Sequence, residues 1–310
     1  MVFASGASPT EMRTKFAIGC FALLVAGSVP HRAAAAAATP LPQAKVEQAV
    51  INALPTWHGT RAQIIEYLDF TKSFATTAPW ALVVARDAKP PPGDLAMMGN
   101  GSPIVICFVK TLTPRCGEAR GHAAENGFDM TNGLIDTAVV FAGPGRTRPL
   151  LMLQTSYAHG LNGNANIGTK LFEYDRKTDR FRQVFVNITG GSNNNAAARF
   201  VEHGPLQGDV IVNYPTDDAP YAYWIEAYAP GKSDHYARIL RYRSITRYGD
   251  GNPLAVADSE MPEIMERMGL WKPGDALPIP PHAPKGCGPL VMRRGEAWCK
   301  TLRIASTPQQ

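Results

Sequence analysis

The feature that most constrains this chain is a long stretch, from Trp80 to Thr246, in which short runs rich in Val, Ile, Tyr and Phe alternate with clusters of Gly, Pro, Asn and Asp. Such runs are strands and such clusters are turns. The pattern predicts strands near 81–86, 104–112, 137–142, 150–157, 170–175, 180–187, 199–203, 209–214, 221–228 and 236–246. Nothing with a helical period intervenes, so neighbouring strands must pair as antiparallel hairpins and not as crossover units. Residues 143–148 and 175–179 read as two of the hairpin connections.

Helical periodicity is confined to the ends. In 43–54, Val46, Ala49, Val50 and Ala53 recur at helical spacing before Pro55. Thr60-Arg61-Ala62-Gln63 has the form of a capping box, and Ile64, Ile65 and Leu68 would make the stripe of a second helix. A third helix is expected over 260–268, capped by Asp258 or Ser259, with Met261, Ile264, Met265 and Met268 inward and Gly269 at its end. The expected class is α+β, predominantly antiparallel β. It is a meander forming a curved sheet, sandwich or partial propeller, with two N-terminal helices and one short C-terminal helix. No blade signature repeats, which argues against a complete propeller. The expected organisation is a signal peptide over 1–38, a helical segment over 39–78, the β-region over 79–258, and a helix, proline-rich wrap and hairpin over 259–310.

The leader carries the location. Arg13 and Lys15 precede the apolar run 16–27, and the alanines of 33–38 offer A-x-A cleavage points. Pro30, His31 and Arg32 interrupt the apolar run well short of the roughly 20 residues a bilayer span needs. The expectation is therefore a periplasmic or secreted protein without a stable membrane span once the leader is cut.

Cleavage also removes Cys20 and leaves Cys107, Cys116, Cys287 and Cys299. An even number in an oxidising compartment points to disulfides. The local pairs, Cys107 with Cys116 and Cys287 with Cys299, are favoured over the other connectivities. Eight or more residues separate the members of each pair, unlike the close ligand pairs of a zinc site, so no metal is assigned and no cofactor is implied. After cleavage 28 basic residues face 25 acidic ones, a net of +3 without a clustered basic face, which argues against a nucleic-acid partner.

Two polar loops are the candidate ligand site. Residues 155–169 hold Tyr157, His159, Asn162, Asn164 and Asn166, and residues 187–195 hold Asn193 and Asn194. Amide side chains donate and accept at once, and aromatic rings such as Tyr157, Tyr221, Tyr223 and Trp224 pack on the apolar side of a sugar. If the hairpins are consecutive in one sheet, both loops open at the same end. Asn and Gly are also the commonest turn residues, which accounts for much of the same composition.

The favoured function is non-catalytic binding of a glycan or other cell-envelope component. Two alternatives stand beside it: a periplasmic hydrolase using His159 with Ser192 or Asp209, and a protein-binding or inhibitory envelope protein. Ser192 lacks the G-x-S-x-G frame of a nucleophile elbow, so a catalytic set would depend wholly on tertiary placement.

Overall fold

The computed structural model describes residues 38–54, 61–88, 104–117, 133–142, 148–158, 165–189, 196–202, 204–219, 221–231, 235–246, 253–275, 290–293 and 296–299. Helix α1 (Gln43–Ala53) is followed by β1 (Ala62–Asp69), β2 (Trp80–Asp87), β3 (Ile104–Lys110) and β4 (Thr113–Cys116), which pair in that order as sheet 1. Next come β5 (Gly133–Ala142), β6 (Arg148–Ala158), β7 (Ala165–Asp175) and β8 (Arg180–Thr189), which form sheet 2. Sheet 3 comprises β9 (Ala197–Phe200), β10 (Val210–Pro215), β11 (Tyr223–Pro230) and β12 (Tyr236–Arg243). Helix α2 (Pro253–Arg267) and a hairpin of β13 (Leu290–Arg293) with β14 (Glu296–Cys299) follow as the last of the described elements. Among the described residues every strand pair is antiparallel, as the predominantly antiparallel α+β class requires.

The three meanders stack as layers with a helix on each outer face. Val46 and Val50 of α1 pack on Ala81, Val83, Val105, Cys107 and Val109, one face of sheet 1. The other face of sheet 1 meets Leu151, Leu153, Phe172 and Tyr174 of sheet 2. The far face of sheet 2 buries Leu150, Leu171 and Phe185 against Ala198, Phe200, Val210 and Val212 of sheet 3. Sheet 3 then covers Ala257, Ile264 and Met265 of α2 with Ile211, Tyr223 and Ile225. This layering explains why β2 and β3 read as nearly unbroken apolar runs: both of their faces are buried.

The expected second helix is instead strand Ala62–Asp69, Thr60 of its capping box lying outside the described residues. Ile64, Ile65, Tyr67 and Leu68 have helical spacing, but a bulge between Ile64 and Glu66 splits them across two faces. Ile64 and Tyr67 pack with the α1 layer, whereas Ile65 and Leu68 pack toward sheet 2. Helix α2 also starts earlier than expected, with Pro253 as its first residue, and it runs through Pro262. Its inward stripe is as expected, and Gly269, at φ +69, ends it while Leu270 N donates to Met265 O. Cys107 and Cys116 lie directly opposite one another on β3 and β4 and are disulfide-bonded. Cys287 lies outside the described residues, and Cys299 closes β14.

Phe181, at the start of β8, holds sheet 1 to sheet 2. Its ring lies 4.6 Å from Phe70, 5.0 Å from Phe74, 5.4 Å from Trp80 and 5.7 Å from Phe108. Beside it, Asp179 accepts hydrogen bonds from Tyr174 Oη at 2.6 Å and Trp80 Nε1 at 3.0 Å, and pairs with Lys110. Burial alone would raise the Asp179 carboxyl, but the bonds from Lys110, Tyr174 and Trp80 outweigh it and hold the group at about 2. Phe181→Ala should therefore destabilise the protein by about 3–5 kcal/mol in chemical denaturation. A loss under about 1 kcal/mol, the range of a surface substitution, would contradict this role.

Candidate functional site

Strand direction sorts the connections between two ends of the stack. β6 and β8 are both antiparallel to β7, so they run the same way and finish together at Ala158 and Thr189. Of the two polar loops expected over 155–169 and 187–195, residues 155–158, 165–169 and 187–189 are instead strand. The remaining 159–164 and 190–195 therefore follow strand ends on the same end of sheet 2, and 89–103 and 118–132 follow strand ends of sheet 1. The opposite, turn end carries the shorter connections and the Phe181 cluster. His159, Asn162, Asn164, Ser192, Asn193 and Asn194 themselves lie outside the described residues.

Two of the predicted ligand residues are brought together. Tyr157 and Asn166 are directly opposite on β6 and β7, and Thr155 faces Gly168 in the next row on the same side of the sheet. That side is the one turned to sheet 1, because Leu153 and Phe172 from the same alternation lie in the core between the two sheets. Asn166, Thr155 and Lys170 are all buried, so the apolar seam of the turn end becomes polar toward the loop end. Thr137, across from Leu153, adds a buried hydroxyl with no partner among the described residues.

Gly168 keeps this floor low. A Cβ there would come within 3.3 Å of Thr155 Oγ1, so the hydroxyl would have to give way. On edge strand β8 the same side shows Val186 and Ile188, 38% and 37% exposed, opposite Lys170 and Gly168. Hydroxyl, amide and ammonium groups thus line up beside an aromatic ring and exposed aliphatic carbons. That combination can hydrogen-bond a neutral polyhydroxylated molecule while covering its apolar side.

Trp224, grouped with these residues by sequence, belongs elsewhere. It faces sheet 2 from sheet 3, on the opposite side of sheet 2 from Tyr157, and Arg241 stacks over its ring at 4.2 Å. Tyr223 is core, whereas Tyr221 is exposed. The buried group that sequence reasoning missed is Glu226. Its carboxylate accepts from Tyr214 and Tyr228 and pairs with Arg238 at 2.9 Å and Arg241 at 3.2 Å. Burial and the bond to Glu226 push the Tyr228 hydroxyl up to about 12. The signal was present as an acidic residue amid the alternating aromatics of β11, beside the arginine-rich β12.

Asp209 precedes β10 at the turn end, away from Ala158 and Thr189, the strand ends next to which His159 and Ser192 follow in sequence. Nearby, the Tyr236 hydroxyl donates to Gly208 O at 2.7 Å. Among the described residues no group of three or more His, Cys, Asp and Glu side chains is placed to hold a metal ion, and no helix is long and apolar enough to cross a membrane. No protein-family model, curated protein or solved structure matches the chain.

Burial pushes the Asp209 carboxyl up to about 7. Because the folded value exceeds the ordinary one of about 3.9, the unfolded chain loses this proton first, and stability falls as pH rises from about 4 to about 7. Asp209→Asn should melt with the wild type at pH 4 and above it at pH 8. Equal melting temperatures at pH 8 would contradict the assignment.

Proposed function

We propose that the mature protein is an exported, non-catalytic binding module for a glycan or other cell-envelope component, taken up at the loop end of the seam between sheets 1 and 2. The observation that carries the proposal is the Tyr157–Asn166 pair, followed along the same face by buried Thr155 and Lys170 and flanked on β8 by exposed Val186 and Ile188. A ring, an amide, hydroxyls, an ammonium and aliphatic carbons on one surface suit a sugar better than a wholly apolar ligand. In the sequence, 159–164 and 190–195, which hold further amide residues, follow the same strand ends. The proposal of export rests on the leader, with its basic start, short apolar run and alanine-rich cleavage region.

The test uses protein recovered from the exported fraction of its host, with leader removal near residue 38 read by intact mass. A thermal-shift screen against cell-wall oligosaccharides should raise the melting temperature, since a ligand that binds only the native state must do so. Tyr157→Ala and Lys170→Met should each weaken the hit about tenfold, equivalent to about 1.4 kcal/mol. A full-length mass with the leader retained would overturn export. The absence of any shift, or a hit indifferent to both substitutions, would overturn the site.

A further inference from the structure

The face of sheet 3 that meets α2 is apolar along Ile211, Tyr223 and Ile225, but Asn213 interrupts it. Asn213 sits in β10 opposite Ile225 of β11 and Ala197 of edge strand β9. It is 0% exposed, and among the described residues neither its Oδ1 nor its Nδ2 has a hydrogen-bond partner. One row away on the same face is Arg199, opposite Ile211. Its Nε is also buried without a partner among the described residues, although its Nη2 reaches Asp258 Oδ2 of α2 at 3.1 Å.

A buried amide, or a buried N–H of an otherwise paired guanidinium, destabilises the fold when its hydrogen bonds go unmade, so the Asn213 amide and the Arg199 Nε–H, unmet in adjacent rows, point to something held between them. Diagonal neighbours in an antiparallel pair are about 7–8 Å apart, a span that one small molecule bonded at both ends can bridge. The side chains of Arg199 and Asp258, 37% and 29% exposed, form a rim open to solvent.

We infer that the layer between β9–β10 and α2 binds one small neutral group that both donates and accepts hydrogen bonds, held by the Asn213 amide and the Arg199 Nε–H. The donor and acceptor count selects the chemistry. Asn213 Oδ1 needs a donor, while Nδ2 and the Arg199 Nε–H need acceptors. A carboxylate would leave Oδ1 unmet and would sit beside Asp258. A hydroxyl, a primary amide or water meets all three.

High-resolution crystals of the mature protein, grown alone and in acetamide, test this site. Density hydrogen-bonded to both Asn213 and Arg199 Nε is expected in the native crystal. Replacement of that density by acetamide identifies an exchangeable ligand site, and an unmoved single peak identifies a structural water; either supports the inference. Asn213→Leu should then lose the density and lower the melting temperature by about 3 °C. The inference is overturned if Asn213 and Arg199 Nε are found bonded only to protein groups with nothing between them. It is also overturned if Asn213→Leu melts at or above the wild type.

Discussion

Covering both faces of each four-stranded sheet is the constraint on which this structure depends. A meander of this size has two sides, and an apolar side left in water destabilises it. The chain meets the requirement by stacking the meanders and closing the two outer faces with α1 and α2. The Cys107–Cys116 disulfide ties short strand β4 to β3, within the sheet that α1 covers.

The seam between sheets 1 and 2 is asymmetric along its length, and the asymmetry is where structure turns toward function. At the turn end the rings around Phe181 and the half-buried Asp179 pairings leave little freedom. At the loop end the same strands carry Thr155, Tyr157, Asn166 and Lys170 in place of Leu and Phe. One end is therefore fixed by aromatic packing, and the other carries buried polar groups on the same strands, which is why the proposed ligand site is placed there. Between sheets 2 and 3 the polar content is structural: Glu226 is bonded by tyrosines and arginines, and Gln154 reaches across to Ala198 O at 3.1 Å.

Much of the architecture was legible because turn chemistry and β-branched runs mark hairpins locally. The connections at 143–147 and 175–179, the inward stripe of α2 and the Cys107–Cys116 pair all follow from neighbouring residues. What was not legible depended on tertiary partners. Ile64, Ile65 and Leu68 look helical because a bulge imitates helical spacing, and only packing on both sides of β1 reveals the strand. Strand β4 is too short and contains Pro114, so its pattern carries no period. The candidate site was half legible. Composition led to Tyr157 and Asn166, which the sheet pairs, but it could not tell which side of sheet 2 Trp224 faces, nor that Thr155 and Lys170 are buried further along the same face as the pair.

The most direct test of the central claim, that the loop end of the sheet 1 and sheet 2 seam is the ligand surface, is an amide-resolved NMR titration with a cell-wall oligosaccharide. The predicted result is saturable shifts at Thr155, Tyr157, Asn166, Gly168 and Lys170, with the amides around Phe181 and Asp179 unmoved. Saturable shifts centred on the turn end, or none at any amide, would contradict the account.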